Sequence, residues 1–335
     1  MLTRPLGQSG IQASAVALGT WVMGGWMWGG SDEDESVAAV HAAIDEGITL
    51  IDTAPIYGFG HSEVVVGRAI ADRRDKVVLA TKVGMVPNAP GGRLAFRSTA
   101  LGPHEHGHIP VNIYNHPDSV RAEVELSLKR LRTDRIDLIQ THWQEEETPF
   151  EDTMGALVRL KEEGKVRAIG VCNATPEQMD RYRAVAPLDS DQEKFSMIDR
   201  GKADSGQNAY CAEHNIAVLA YSPMALGLLT GKVGPDREFP EGDLRRGKPR
   251  FERDNRVRVK AMLDAFEPVR AAHNCTLAQL VIAWTVRQHG VTHALVGART
   301  PQQAIENAAA GRVDLTREQV EQMNALVAKH APGIV

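Results

Sequence analysis

The stretch GITLIDTAPIYGFGHSEVVVGRAI, residues 47–70, contains the unit from which the fold is predicted. Its first part, residues 49–54, is a short run of β-forming side chains, which is typical of a buried strand. The residues that follow, 62–74, carry apolar side chains at helical spacing and predict a helix. The stretch is therefore one strand, one short loop and one helix.

The same unit repeats along the chain. Eight strands are predicted, at residues 15–20, 49–54, 76–84, 136–143, 165–173, 187–192, 216–223 and 291–298. Helices are predicted at 32–47, 62–74, 116–132, 150–164, 175–185, 206–214, 254–273, 276–289, 301–310 and 316–330. Regular alternation predicts a parallel sheet, and eight βα units in about 300 residues favour an α/β fold of the (β/α)8 TIM-barrel type over an open sheet.

Residues 1–335 are predicted to form a single domain, since no linker rich in proline, glycine and serine divides them. The opening RPLGQSGIQASAV, residues 4–16, predicts a β-hairpin before the first barrel strand. Two long segments, 85–115 and 231–253, follow strand ends at the C-terminal face, where barrel active sites lie. We expect these segments to be functional, although the sequence does not give their conformation.

Composition excludes several classes of protein. The chain has 335 residues with 43% hydrophobic and 24% charged side chains and a net charge of −5, and no basic block suggests binding to nucleic acid. No apolar run of about 18 residues predicts a membrane span, and the first residues lack the apolar core of a signal peptide. The three cysteines are scattered, which favours reduced thiols and a cytoplasmic protein, either a monomer or a homo-oligomer.

Four polar residues stand at or just after the ends of predicted strands: Asp52, Tyr57, Lys82 and His142. In a barrel they would meet at one mouth. A tyrosine with a pKa of about 10 is a weak acid, and an adjacent ammonium from Lys82 would lower that pKa. Asp52 could hold the lysine and His142 could bond a carbonyl oxygen, so the set predicts a proton donor for carbonyl reduction. Taken singly, the aspartate could be a helix cap and the lysine a Schiff-base residue of an aldolase-type barrel.

The opening stretch resembles the signature of the aldo-keto reductase family, with its IDTA–xx–YG–xxx–SE–xx–G pattern. Further blocks resemble the family in the expected order, namely VVLATKVG, RIDLIQTHW, GKVRAIGVCN, AYSPMALGLLTGK and VGARTPQQAIENA. The resemblance covers about residues 1–330. It implies a barrel that binds NADPH across its C-terminal mouth and reduces an aldehyde or sugar carbonyl to the alcohol, or catalyses the reverse. Tyr57 would be the general acid.

The resemblance also implies which residues hold the cofactor, from the nicotinamide to the adenine: Gly19, Thr20, Trp21, Cys172, Asn173, Gln192, Tyr221, Ser222, Pro223, Met224, Gly227, Thr230, Gly231, Lys232, Gly297, Arg299, Gln303, Glu306 and Asn307. Cys172, Asn173 and Gln192 would face the nicotinamide carboxamide. Arg299 would meet the adenosine 2′-phosphate. A guanidinium just before a helix start suits an anion, which favours NADP over NAD. No GxGxxG motif follows a strand, and no metal is expected.

The stretch LGTWVMGGWMWGG, residues 18–30, holds three of the five tryptophans of the chain. It follows the first strand, so we expect it at the mouth of the barrel. Trp21 and Trp26 are predicted to contact the substrate together with Tyr57, His142 and Trp143. The alternative is that these rings cover the open end of the barrel as ordinary packing.

Several features remain open at the level of the sequence. Cys172 stands where many family members have serine, and Phe195 and Ser196 stand where tyrosine and asparagine are more common. The acidic run QEEE, residues 144–147, has no assigned role. The run HEHGH, residues 104–108, is predicted not to bind zinc, because a zinc site needs a fixed tetrahedral set of ligands. A second class of function is a cofactor-binding regulatory protein with slow turnover.

Overall fold

The computed structural model describes residues 1–98 and 109–334. Its strands are β1 Thr3–Pro5, β2 Gln12–Ser14, β3 Val16–Gly19, β4 Leu50–Asp52, β5 Val78–Val83, β6 Met85–Pro87, β7 Arg93–Arg97, β8 Pro110–Ile113, β9 Ile136–Thr141, β10 Val166–Cys172, β11 Ser190–Lys194, β12 Ala217–Tyr221 and β13 Val291–Gly297. Within those residues, no helix is long and apolar enough to cross a membrane.

The α-helices are α1 Glu33–Asp45, α2 His61–Ile70, α3 Pro117–Leu131, α4 Phe150–Glu162, α5 Pro176–Arg183, α6 Gly201–Asp204, α7 Gln207–Glu213, α8 Arg253–Asp264, α9 Glu267–Ala272, α10 Leu277–Thr285, α11 Pro301–Ala309 and α12 Arg317–His330. Short 3-10 turns occupy Trp21–Gly24, Arg74–Lys76, Ala225–Thr230, Pro249–Phe251 and Ala310–Arg312. Sequence signals for helix starts are confirmed at α5, where Thr175 and Gln178 form a capping box.

The strands β3, β4, β5, β9, β10, β11, β12 and β13 close into a parallel barrel in that order. This confirms the predicted (β/α)8 fold. Side chains from alternate positions fill the interior, among them Ala17, Leu50, Leu138 and Leu219, each at most 1% exposed. The barrel is therefore a packed core, and its chemistry must lie at an end.

The N-terminal hairpin closes the end of the barrel at which the strands begin. Strands β1 and β2 pair antiparallel, as predicted, and Leu6 in the loop between them is fully buried. Gln8 donates to the Leu188 carbonyl, just before β11. Leu6 packs with the interior residues of several strands. This leaves the opposite, C-terminal end free for a site.

Several segments differ from their predicted extents. Helix α2 ends at Ile70 instead of 74, and α10 ends at Thr285 instead of 289. The helix predicted at 254–273 divides into α8 and α9, because Pro268 in the first turn of α9 lacks an N–H for a continuing helix. The sixth barrel strand begins at Ser190 instead of 187. Within 85–115, strands β6, β8 and β7 form a small antiparallel sheet beside the mouth.

Candidate active site

The four polar residues predicted to meet do lie together at the C-terminal mouth. Lys82, in β5, places its Nζ 2.7 Å from Asp52 Oδ2 and 3.3 Å from Tyr57 Oη. The imidazole of His142, which follows β9, lies edge-on to the ring of Tyr57 with centroids 5.9 Å apart. Lys82 and Asp52 are buried, whereas the tyrosine and histidine are half-buried. The two half-buried groups can therefore reach a substrate while the ion pair stays behind them.

The pKa of Tyr57 is raised to about 12, opposite to the net direction expected from the sequence. Burial is the largest cause and disfavours the phenolate. The Lys82 ammonium does lower the pKa, as expected, but the Asp52 carboxylate raises it again. The phenol is consequently protonated at neutral pH and ready to donate.

The protonation states of Lys82 and His142 are also set by their surroundings. Burial alone would lower the pKa of Lys82, but the carboxylate of Asp52 and the phenol of Tyr57 outweigh it, and the pKa is raised. A protonated amine has no lone pair, which argues against the Schiff-base alternative. Burial and the nearby ammonium hold the pKa of His142 well below its usual value, so its imidazole is neutral and can donate one N–H.

The signature residues Ser62 and Glu63, at the start of α2, support the site from behind. Ser62 Oγ lies 2.8 Å from Thr20 Oγ1 and 3.0 Å from Thr53 Oγ1, and it donates to the Thr20 carbonyl. Thr53 in turn offers its carbonyl to Lys82 Nζ at 3.0 Å. The helix is thereby tied to the loops that carry the lysine and its partners. These supporting roles were missed at the sequence level.

Asp52, Tyr57, Lys82 and His142 are called the tetrad below. A cleft of about 480 Å³ extends along the mouth from two of them, Asp52 and Tyr57. Most residues predicted to bind the cofactor line it: Gly19, Thr20, Trp21, Gln192, Tyr221, Ser222, Pro223, Met224, Gly227, Thr230, Lys232, Gly297, Arg299, Gln303, Glu306 and Asn307. Of the remaining predicted set, Cys172, Asn173 and Gly231 do not form its lining within the described residues. Cys172 is only 1% exposed, and burial raises the pKa of its thiol.

The cleft has features suited to a large anionic ligand. Trp28 lines it, and its Nε1 is buried without an acceptor among the described protein atoms. Arg237 and Arg245 line it as well, from the 231–253 segment. Sequence reasoning did not select the two arginines, although the arginines of that segment were a visible signal. A dinucleotide with phosphate oxygens therefore fits both the volume and the donors.

At the adenosine end, the cations are already engaged with protein groups. Arg299 donates to the Trp28 carbonyl at 2.7 Å and lies 5.6 Å from the centre of that indole. Lys232 Nζ lies 2.6 Å from Glu306 Oε2. The guanidinium of Arg245 also lies 5.6 Å from the centre of the Trp28 ring. Two guanidinium groups therefore contact this tryptophan at the edge of the cleft.

Two amides lie close to the tetrad: Gln192 lines the cleft, and Asn173 lies behind Tyr221, which lines it. Gln192 Nε2 donates to Asp52 Oδ1 at 2.9 Å. Asn173 donates to the His142 carbonyl at 3.0 Å and accepts from Tyr221 Oη at 2.9 Å. Both amides are therefore fixed relative to the tetrad.

The tryptophan loop divides its rings between two tasks. Trp21 lines the cleft and lies 6.2 Å from the ring of Tyr57. Trp26, by contrast, is 9% exposed and packs on Phe59 and Phe96. Phe59 and Phe96 therefore cover most of the ring from which a substrate contact was expected. Trp143 is 39% exposed at the rim.

The acidic run 144–147 is tied to the protein rather than forming a free rim. Glu145 is buried and accepts from the backbone N–H groups of Asn115 and Thr148. Glu146 pairs with Arg181, and Glu147 accepts from the backbone of residue 92. These carboxylates therefore attach the loop after β9 to neighbouring segments of the chain.

The unusual pair Phe195 and Ser196 is accounted for locally. Phe195 stacks on Trp284 with centroids 5.8 Å apart, and Ser196 Oγ donates to Asp199 at 2.8 Å. The histidine run 104–108 lies outside the described residues. In the parts of the chain that are described, no group of three or more metal-ligating side chains comes together.

Comparison with known proteins places this geometry in a family. The model of the aldo/keto reductase family matches residues 15–328. Aldo-keto reductase YhdN of Bacillus subtilis is 40% identical over 306 residues, which cover 89% of this chain and 85% of that protein. The NADH-specific methylglyoxal reductase of Escherichia coli is 37% identical over 320 residues, covering 93% and 94%.

Solved structures agree. The glycerol dehydrogenase AKR11B4 of Gluconobacter oxydans has a TM-score of 0.84 at 39% identity and covers 99% of this chain and 97% of its own. An aldo/keto reductase of Klebsiella pneumoniae, solved with NADP and acetate, has a TM-score of 0.69 at 28% identity, covering 96% and 94%. With a family model that spans the barrel and relatives that align along its length, the chain belongs to the aldo/keto reductase family.

Proposed function

We propose that the chain binds NADPH in the 480 Å³ cleft and reduces the carbonyl of a small aldehyde or sugar, or oxidises the corresponding alcohol. The observation that carries this proposal is the buried Lys82 ammonium, which contacts both Asp52 and the Tyr57 hydroxyl at the edge of the cleft. Relatives named for methylglyoxal and glycerol support small oxygenated substrates. The NADP complex of the Klebsiella structure supports the cofactor.

The residues of the chain have separate tasks in this reaction. Bound NADPH supplies the hydride that reaches the carbonyl carbon. Tyr57 gives its proton to the carbonyl oxygen, and the Lys82 ammonium stabilises the phenolate that remains. Asp52 keeps the ammonium in place, and the neutral His142 donates an N–H to the same carbonyl oxygen. The phenolate then regains a proton from solvent once the alcohol leaves.

The substrate rim and the cofactor cradle follow from the cleft. Trp21, beside Tyr57, would form one wall for the substrate, and the exposed Trp143 another. Asn173 and Gln192 would face the nicotinamide carboxamide, with Tyr221 against the ring. Arg299 would meet the 2′-phosphate.

The test is the variant Tyr57→Phe, which removes one oxygen. We expect NADPH oxidation with a panel of short aldehydes and aldoses to fall by on the order of 10²–10⁴-fold, because the proton donor is lost. NADPH affinity, measured by fluorescence titration, should stay unchanged because the ring remains. Turnover that survives the substitution contradicts the assignment of the acid, and absence of NADPH binding by the wild-type chain contradicts the proposed function.

A further inference from the structure

A buried group of titratable side chains lies on the outer side of β11, behind the site. Asp191 and Glu193 are 0% and 2% exposed. They alternate along the strand with Gln192, whose side chain enters the barrel and bonds Asp52. The mechanism above does not use either carboxyl group.

The group is held together by one amide and one ammonium. Gln207 Nε2, from α7, lies 2.7 Å from Asp191 Oδ2, 2.7 Å from Glu193 Oε1 and 2.8 Å from the Ala174 carbonyl. An amide nitrogen has two protons for these three acceptors. Lys202 Nζ lies 3.4 Å from Glu193 Oε1 and 3.1 Å from Gln207 Oε1. Among the described residues, it is the one cation that acts on these two carboxylates.

This imbalance favours a retained proton. Asp191 Oδ1 is buried without a hydrogen-bond partner in the part of the chain that the structure describes, and Cys211 Sγ lies 3.8 Å from the other oxygen. Burial first, and the neighbouring carboxylate second, raise the pKa of Asp191 well above its usual range. Burial also raises the pKa of Glu193. Tyr221 on β12 and Cys172 on β10 face the same negative charge, which adds to the effect of burial on their own pKa values.

The group contacts the chain directly beside each of the two amides, Asn173 and Gln192. Ala174, whose carbonyl the group binds, directly follows Asn173. The two carboxyl groups flank Gln192 in sequence. A change in the charge of the group therefore acts on the positions of both amides.

We propose that Asp191, Glu193, Gln207 and Lys202 form a proton-holding clamp that positions Asn173 and Gln192 for the nicotinamide end of NADPH. The inference rests on the proposed function, because it uses the assignment of these two amides to the carboxamide. The clamp residues act as positioning residues through those amides. Loss of the proton that the two carboxyl groups retain adds a buried negative charge, loosens the clamp and weakens NADPH binding.

The test follows NADPH affinity by fluorescence titration between about pH 7 and about pH 10. For the wild-type chain, we expect the affinity to fall as pH rises, by on the order of fivefold, the worth of one displaced hydrogen bond. Asp191→Asn keeps the shape of the protonated acid and should bind NADPH equally across the range. Glu193→Gln should do the same. The charges of the remaining Asp191 carboxylate and Lys202 ammonium cancel, so the group needs no retained proton.

Two controls separate the clamp from a general effect of burial. Asp189 is another buried carboxylate; it lies just before β11 and accepts a hydrogen bond from the Ile169 N–H at 3.0 Å. Asp189→Asn should keep the wild-type pH response. The fragment 2′-phospho-ADP-ribose lacks nicotinamide, so its affinity should not follow the clamp. A response that persists in both clamp variants, or that the fragment shares, overturns the inference. Wild-type NADPH binding that is tight but flat with pH overturns the clamp alone, whereas no binding at all contradicts the proposed function too.

Discussion

At the scale of single residues, the raised pKa of Tyr57 determines how the reaction responds to pH. The phenol is protonated below its pKa of about 12, so the donor is lost only as pH rises toward that value. The pKa of His142 is lowered well below its usual value, so it stays neutral above that range. We expect kcat/KM for carbonyl reduction, measured with saturating NADPH, to be flat between about pH 6 and about pH 9. A limb with a midpoint near neutrality contradicts these protonation states.

Arg299 provides a second prediction at this scale. Its guanidinium is the cation of the cleft nearest to the start of α11, where backbone N–H groups favour an anion. We expect Arg299→Ala to weaken NADPH binding by on the order of tenfold or more and NADH binding far less, because NADH lacks the 2′-phosphate. Equal losses for the two cofactors in fluorescence titrations mean that the phosphate binds elsewhere.

The positions of the tetrad were predictable, but their electrostatics were not. Asp52, Lys82 and His142 end parallel strands, and parallel strands bring their carboxyl ends to one mouth. The direction in which the pKa of Tyr57 shifts depends on how deeply its hydroxyl is buried, and the sequence does not contain that depth. The same holds for Trp26, because the sheet that covers it comes from a segment far along the chain.

At the scale of elements, the tryptophan loop and the Tyr57 loop each need a glycine where their backbones meet. Gly58 has φ +63°, and a Cβ on it would lie 2.2 Å from the Gly24 carbonyl oxygen. We expect Gly58→Ala to lower the free energy of unfolding by more than the roughly 1–2 kcal/mol of a left-handed alanine, and to reduce turnover, because the backbone must shift. Urea unfolding and steady-state kinetics measure the two effects.

Gly29→Ala is the matched control for that variant. Gly29 lies in the tryptophan loop, which Gly58 approaches at Gly24, and has φ +73°, but a Cβ there meets nothing within 4 Å. We expect only the conformational cost of about 1–2 kcal/mol, with turnover retained. If both variants lose stability and turnover equally, the close approach of the two loops is not what the glycines serve.

Elements with a local signal were predictable, and those built from distant contacts were not. The helix at α5 follows from a threonine cap and Pro176. The sheet of β6, β7 and β8 depends on pairing between segments that are about 20 residues apart, such as Arg93 with Ile113. The path of 231–253 depends on Arg245, which packs on Trp28 of the distant tryptophan loop. Neither arrangement has a short-range pattern in the sequence.

At the scale of the whole molecule, the barrel separates stability from chemistry. The hairpin and Leu6 close the end where strands begin, while the tetrad and the cleft occupy the end where they finish. The repeated strand–helix pattern predicts this division, because the rule for parallel barrels assigns catalysis to one face. Substitutions at the two ends should therefore have different consequences.

Leu6→Ala tests that separation. Leu6 is fully buried against interior residues of the barrel, so its truncation should lower the free energy of unfolding by about 2–5 kcal/mol. NADPH affinity and kcat, measured well below the unfolding temperature, should be unchanged, since the cleft lies at the other end. Tyr57→Phe should show the reverse pattern, and in the double variant the two effects should add because the sites share no partner. A large loss of kcat in Leu6→Ala would instead mean that the closed end controls the geometry of the mouth.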